Sequence, residues 1–209
     1  MATKNVNPLT WELEEEYFAS GYKVICGTDE AGRGPLCGPV AAAACILPRG
    51  FILPGLNDSK KLSEKKREEL FEIIKENAVS YAIELVSNEV IDEINILNAS
   101  QLAMRKSIER LTPAPDLALV DGNVARDFPC KAVTVIKGDG KSPNIAAASI
   151  LAKVTRDRLC EQLHEMYPEY NIAKHKGYPT KEHMDAVRKY GPSPIHRMSF
   201  LGFLNKDEK

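Results

Sequence analysis

The stretch YKVICGTDEAGRGPLCGPVAAAACIL, residues 22–47, predicts two β-strands joined by a glycine-rich turn. Its first part, YKVICGT, is short and rich in β-formers, and it predicts a strand that ends at Asp29. Its last part, residues 39–47, is apolar with small side chains, as in a strand buried on both faces. The sheet therefore begins with this pair of strands.

Helices are predicted before and after that pair of strands along the chain. They cover residues 11–20, 63–77, 88–111, 143–167 and 181–190. Ser63 and Ser142 are predicted N-caps, and Pro143 suits the first turn of a helix. Within residues 88–111 the apolar side chains recur at steps of three and four, with only Gln101 polar in the series. That spacing predicts one long helix.

Further strands are predicted at residues 81–86 and within the segments LALVDGN and KAVTVIKGDG. The order of elements predicts an α/β protein with a mixed sheet. We expect a helical extension at residues 1–20, an α/β core at residues 21–168, and a helical C-terminal lobe and tail of the same domain at residues 169–209.

The charge distribution is uneven although the formal net charge is only −1. Residues 1–130 hold 14 basic and 20 acidic side chains, whereas residues 131–199 hold 12 basic and 7 acidic ones. A basic C-terminal third fits a surface that displaces counterions from nucleic-acid phosphates. Ordinary surface scatter explains the same counts equally well, so the charge alone assigns no function.

Composition narrows the class of protein. The hydrophobic fraction of 44% and the charged fraction of 27% are those of an ordinary globular protein. The longest apolar stretch, residues 39–47, is shorter than the roughly 20 residues of a membrane helix. We therefore expect a cytoplasmic protein without a membrane span, whose five cysteines are reduced and mostly buried.

Carboxylates follow the ends of several predicted strands. They are Asp29, Glu30, Asp121 and Asp139. Each alone is more often the start of a turn, but together they would converge at one edge of the sheet and repel one another unless a cation intervened. Oxygen ligands without histidine or cysteine favour Mg²⁺ or Mn²⁺, and two such ions can promote phosphodiester hydrolysis. Because adjacent strand residues face opposite ways, we expect the strand to bend or end at Asp29 and Glu30.

The turn AGRGP has its own potential chemistry. Gly32 and Gly34 leave the main-chain N–H groups open to a sugar or phosphate, and Arg33 supplies a positive charge. A tight turn between two strands is the alternative interpretation. The adjacent Asp29 and Glu30 favour the functional interpretation.

Several long motifs resemble, in order and spacing, those of bacterial ribonuclease HII. They are GTDEAGRGPLCGPV, LNDSKKLSEKKR, DEINILNASQLAM, LVDGN, KGDGKS, IAAASILAKVTRDR, HKGYPT and SFLGFL. The match runs from about Val24 to Leu204. The resemblance implies a ribonuclease H-like fold with a five-stranded mixed sheet flanked by helices. It also implies endonucleolytic cleavage 5′ of a ribonucleotide, in RNA–DNA hybrids or in duplex DNA. Independently of the resemblance, we expect a monomer.

The resemblance also implies residue roles. The family's metal-binding and catalytic carboxylates fall on the same strand-end positions, Asp29, Glu30, Asp121 and Asp139. Its turn for the 2′-hydroxyl falls on Gly32, Arg33 and Gly34, and its sugar-stacking tyrosine on Tyr178. Further substrate-binding candidates implied by the family motifs are Lys60, Lys61, His175 and Lys176. Tyr178 alone would be interpreted as a packing residue, and the lysines as a solvated helix start.

The chain departs from the family at one place. Gly140 stands where the family commonly has serine, which puts the geometry of a second metal beside Asp139 in question. Only about 20 residues precede the first strand, too few for the additional N-terminal substrate-binding domain that some members have.

Two other functions compete with the nuclease. Loops such as DxxGxG also occur in ATP-dependent phosphotransferases, but those need a second large domain, and the chain has no GxxxxGK[ST] sequence. A non-catalytic module that binds hybrid duplexes is the other alternative, but converging carboxylates would repel the nucleic-acid backbone.

Overall fold

The computed structural model describes residues 9–206 and contains one five-stranded mixed sheet. Its strands are β1 (Ile25–Ala31), β2 (Val40–Ile46), β3 (Ser80–Val86), β4 (Leu117–Asp121) and β5 (Lys131–Val135). They lie in the order β3-β2-β1-β4-β5. β1, β2 and β3 are antiparallel neighbours, whereas β4 and β5 run parallel to β1. The expected five-stranded α/β fold is therefore confirmed.

Helices cover both faces of this sheet. They are α1 (Glu12–Ala19), α2 (Glu64–Asn77), α3 (Asn88–Ile94), α4 (Ile96–Glu109), α5 (Pro143–Met166), α6 (Ile172–His175) and α7 (Lys181–Tyr190). β2 is buried along its whole length, and its alanines let α5 approach one face and α4 the other. Ser63 and Ser142 cap α2 and α5 as predicted, each accepting a hydrogen bond from a first-turn N–H.

The single long helix predicted at residues 88–111 is wrong. Two helices, α3 and α4, meet at Asn95, which has a φ of +65°. The Asn95 side chain accepts a hydrogen bond from the N–H of Asn98 at 3.1 Å and so caps α4. Apolar spacing could not detect the break, because buried side chains such as Ile91 and Met104 face the same core on both sides of it.

The C-terminal part packs against the turn after β1. Leu36 and Cys37 from that turn share a core with Leu163 of α5 and Val187 of α7. Residues 9–20 of the expected N-terminal extension contain α1, and residues 1–8 lie outside the described part. The five cysteines are free, and only Cys130 is not fully buried.

In residues 9–206 we find no helix that is long and apolar enough to cross a membrane.

Candidate active site

Asp29 and Glu30 lie inside β1, so the expectation that the strand ends at these residues is wrong. β1 continues to Ala31, with Asp29 opposite Ala43 and Glu30 opposite Ala42 on β2. On its other side β1 pairs with β4 only as far as Thr28 and Val120, so β1 extends beyond this pairing. The two carboxylates therefore lie beside the point where β1 and β4 part, at the centre of the sheet.

The side chains of Asp29 and Glu30 lie on opposite faces of the sheet. Asp29 is 5% exposed and lies beside Ser149 on the α5 side. Glu30 shares a small cleft on the α4 side with Asp121 and Gln101. Both also line a cavity of about 270 Å³. Because β4 no longer pairs with this part of β1, carboxylates on both faces reach one region.

Asp121 and Asp139 are joined to each other through a turn. Asp121 ends β4, and its Oδ1 accepts a hydrogen bond from the N–H of Gly138 at 2.6 Å. Asp139 follows in a tight turn, buried to 6% exposure. Gly140 has no positive φ, and an added Cβ would meet nothing within 4 Å, so the backbone beside Asp139 does not depend on glycine.

Burial and mutual repulsion raise the pKa of most of these carboxyl groups. Desolvation, followed by the charges of Glu30 and Asp121, raises the pKa of Asp29 well above its usual value. Desolvation also raises the pKa of Glu30, although Arg33 opposes the shift. Desolvation, with Asp58 and Asp121, raises the pKa of Asp139 to about 6. Oxygen donors held in this way fit a hard divalent cation, which would offset the repulsion.

The four carboxylates do not all meet at one point. Within the described residues no three of their oxygen atoms come within 4.8 Å of one another. Lys60 lies nearby, and the charges of Asp29, Asp139, Asp58 and Asp121 outweigh its own burial and raise its pKa. The site is thus a group of acidic side chains with one lysine among them.

Asp58 belongs to this region and was missed by sequence reasoning. Its charge contributes to the raised pKa of Asp139, and its Oδ1 accepts a hydrogen bond from the N–H of Lys60 at 2.9 Å. Asp58 follows no strand, so the strand-end pattern could not select it. The neighbouring Lys61 extends away, with its side chain 66% exposed and its Nζ 3.7 Å from Asp58.

Two buried arginines bind main-chain carbonyl groups of the glycine-rich turn and of the loop that follows it. Arg197 is fully buried and donates to the carbonyl oxygens of Gly32, Arg33 and Gly38. Arg156 donates to the carbonyls of Cys37 and Pro39 on the same loop, and to that of Lys176. Guanidinium groups that bind main-chain carbonyls fix the orientation of those peptides. Sequence reasoning missed both arginines, because most arginines lie at protein surfaces.

The turn faces the same cavity as Tyr178. The cavity is lined by Gly32, Arg33 and Gly34 together with Lys60 and the half-exposed ring of Tyr178. A Cβ at Gly34 would lie 3.3 Å from Cε1 of Tyr178, so the ring lies beside the turn. The structure brings these predicted residues together with Asp29 and Glu30.

His175 and Lys176 are placed differently. His175 is buried, and its ring nitrogens are bound to the carbonyl oxygen of Tyr170 and the N–H of Gly177. The Nζ of Lys176 lies 3.3 Å from a carboxylate oxygen of Glu161. His175 therefore supports the main chain before Tyr178 instead of lining the cavity.

His175 belongs to a cluster of neutral histidines in the C-terminal lobe. Its ring stacks on that of His183 with centroids 4.5 Å apart, and Nε2 of His183 lies 3.2 Å from Nε2 of His196. The N–H of Ser193 donates to Nδ1 of His196, so the proton on His196 lies on Nε2 and is shared with His183. Cys37, His183 and His196 form the one group of possible metal ligands in residues 9–206 whose ligand atoms lie within 4.8 Å of one another. The shared proton and the nearby Arg156 and Arg197 oppose a cation there.

This cluster predicts a loss of stability in mild acid. Desolvation, with His183, lowers the pKa of His196 from 6.5 to about 4. Between these values the unfolded chain binds a proton that the folded chain does not, so the folded state weakens as the pH falls from 6.5 toward 4. The raised pKa values of the buried carboxyl groups act in the opposite direction, so the wild-type profile alone is ambiguous.

The variant His196→Gln isolates the histidine contribution, because its amide can donate to His183 without titrating. Urea unfolding at pH 7 and pH 5 should show wild type losing about 1–2 kcal/mol relative to the variant. Equal pH profiles for the two proteins would contradict the neutral-histidine assignment.

Comparison with known proteins gives one consistent result. The family model described as Ribonuclease HII matches residues 26–202. Ribonuclease HII of Caldicellulosiruptor saccharolyticus is 54% identical over 191 residues, which cover 91% of this chain and 93% of that protein. Ribonuclease HII of Clostridioides difficile is 55% identical over 189 residues, covering 90% and 74%.

Solved structures agree with the sequence relatives. The crystal structure of ribonuclease H2 from Pyrococcus horikoshii OT3 is similar with a TM-score of 0.71 at 27% identity, covering 90% of this chain and all of that one. RNase HII in the PCNA:RNase HII complex from Archaeoglobus fulgidus is similar with a TM-score of 0.72 at 28% identity, covering 88% and 97%.

Proposed function

This chain belongs to the ribonuclease HII family and is a ribonuclease H enzyme, and from that premise we propose which bond it cuts and how. It hydrolyses the phosphodiester bond 5′ of a ribonucleotide, in RNA–DNA hybrids and in duplex DNA that contains single ribonucleotides. The products carry 5′-phosphate and 3′-hydroxyl ends. One observation carries the proposal: Asp29 and Glu30 open into the cavity that the glycine-rich turn and Tyr178 line.

The residues Asp29, Glu30, Asp121 and Asp139 would hold two divalent ions, Mg²⁺ or Mn²⁺. Bound there, such ions supply an activated water and stabilise negative charge on the phosphate oxygens. The carboxylates fit because they are oxygen donors, and burial followed by the charges of neighbouring carboxylates raises the pKa of Asp29, Glu30 and Asp139. The N–H of Gly138 orients Asp121 for this role by its 2.6 Å hydrogen bond.

Selection of a ribonucleotide falls to the turn and the tyrosine. The main chain of Gly32, Arg33 and Gly34 meets the 2′-hydroxyl, which only RNA offers. The half-exposed ring of Tyr178 stacks on the neighbouring sugar. Lys60, Lys61 and Lys176 contact phosphates. His175 supports the main chain before Tyr178, because both of its ring nitrogens are hydrogen-bonded to main-chain groups.

We propose a monomer that acts in the cytoplasm, with residues 21–168 as the catalytic core and residues 169–209 as the substrate-binding lobe. The alternatives of an ATP-dependent phosphotransferase and a non-catalytic duplex-binding module lose their support with the family assignment.

Cleavage of a labelled DNA duplex with one embedded ribonucleotide tests the proposal. With Mn²⁺ or Mg²⁺ we expect a single cut on the 5′ side of the ribonucleotide, and with excess chelator we expect none. An all-DNA duplex of the same sequence is the control, and a continuous RNA–DNA hybrid tests the second substrate. Cutting in chelator, or equal cutting of the all-DNA duplex, would refute the mechanism.

A further inference from the structure

Glu14 is a buried carboxylate in α1, which precedes the part of the chain that the family model matches. The other glutamates of α1 are at least partly exposed, whereas Glu14 has no exposed surface. Within the described residues Glu14 has no lysine or arginine partner. Its Oε2 makes no hydrogen bond in the described structure, and desolvation raises its pKa despite several hydrogen bonds.

The partners of Glu14 lie at the start of α5. Ser142 Oγ donates to Glu14 Oε1 at 2.5 Å, and Asn144 Nδ2 donates to the same oxygen at 3.3 Å. Ser142 is itself the N-cap of α5, because its Oγ accepts from the N–H of Ile145 at 3.1 Å. A carboxylate at this end also interacts favourably with the helix dipole.

Ser142 closes the turn that carries Asp139. Its N–H donates to the carbonyl oxygen of Gly138 at 2.8 Å, and the N–H of Gly138 donates to Asp121 at 2.6 Å. A continuous set of hydrogen bonds therefore runs from Glu14 through Ser142 and Gly138 to Asp121. Asp139 lies inside the segment that these bonds hold.

Packing of α1 does not require this carboxylate. Trp11 Nε1 donates to the carbonyl of Phe51 at 2.9 Å, Phe18 packs against the core, and Glu15 pairs with Arg49. An apolar side chain at position 14 would avoid the cost of burying a carboxylate. The acceptor oxygen at this position is therefore best explained by the groups that it binds at the start of α5.

We propose that Glu14 is a positioning residue for the metal site: through Ser142 it holds the Gly138–Gly140 turn so that Asp121 and Asp139 keep their relative placement. The inference rests on the proposed function, since it assumes that these two carboxylates bind divalent ions. It assigns a role in the site to a helix outside the matched region. Groups behind metal ligands commonly affect metal affinity by about 10–100-fold.

The inference is tested by Mn²⁺ titration of the metal-free protein, carried out without nucleic acid and well below the melting temperature. Glu14→Ala should weaken Mn²⁺ binding about tenfold, and excess Mn²⁺ should restore kcat. Glu14→Gln keeps the acceptor oxygen and should bind Mn²⁺ within about twofold of wild type. Ser142→Ala should weaken binding as Glu14→Ala does, and the double variant should lose no more than either single one.

A stability-matched control separates positioning from general destabilisation. Ile74→Val in α2 removes a methylene from a fully buried side chain and costs about 1 kcal/mol of folding free energy. It should leave Mn²⁺ binding unchanged. The inference fails if Glu14→Ala binds Mn²⁺ as wild type does, or if Ile74→Val weakens binding equally. If wild type itself binds no Mn²⁺, the proposed metal site fails, which is a distinct result.

Discussion

Asp121→Asn is expected to lower the cleavage rate at least about a thousandfold, or about 4 kcal/mol in activation free energy, while the protein stays folded. The amide keeps an oxygen that can accept the hydrogen bond from Gly138, so the turn before Asp139 is preserved. What is lost is a negative charge beside Glu30 and Asp29. Single-turnover cleavage of the ribonucleotide-containing duplex measures the effect.

Thermal unfolding separates loss of metal from loss of fold. Because Asp121 contributes to repulsion on Asp29, metal-free Asp121→Asn should be at least as stable as wild type. The stabilisation that Mn²⁺ gives to wild type should disappear in the variant. Asp185→Asn, the same change on exposed α7, should alter neither property. Near-normal turnover by Asp121→Asn would overturn the metal-site assignment.

The sequence was sufficient for the sheet because short apolar runs and glycine-rich turns delimit its strands. It was also sufficient for placing Asp121, since a carboxylate after a buried strand can be found from local pattern. The placement of Asp29 and Glu30 required more. Their position inside β1 depends on where β4 stops pairing, which is a relation between strands distant in sequence.

The sequence did not identify the buried side chains that support the site without lining it. Arg197 and Arg156 support the glycine-rich turn, and Glu14 supports the turn of Asp139, yet arginine and glutamate are both usually exposed. Their burial becomes visible only when the loop of residues 32–39 meets the C-terminal lobe, or when α1 meets α5. Asn95 escaped for a related reason, because asparagine at a positive φ leaves the apolar pattern unbroken.

Gly32→Ala is expected to reduce kcat/KM for the ribonucleotide-containing duplex by about a hundredfold, or about 2.7 kcal/mol. Gly32 has a φ of +98°, and an added Cβ would lie 2.0 Å from Nε of Arg156. Arg156 cannot move freely, because its guanidinium donates to the carbonyls of Cys37 and Lys176. The turn must therefore shift, and a displacement of about 1 Å is enough for such a loss.

Gly50→Ala is the matched control for this substitution. Gly50 also has a positive φ, +75°, but an added Cβ there meets nothing within 4 Å. Both variants therefore carry comparable backbone strain, about 1 kcal/mol, while only Gly32→Ala collides with a buried arginine. Steady-state cleavage and urea unfolding of both variants distinguish the two effects. If Gly32→Ala cleaves like Gly50→Ala, the turn does not position the ribose, and selection of the 2′-hydroxyl must be sought in Tyr178.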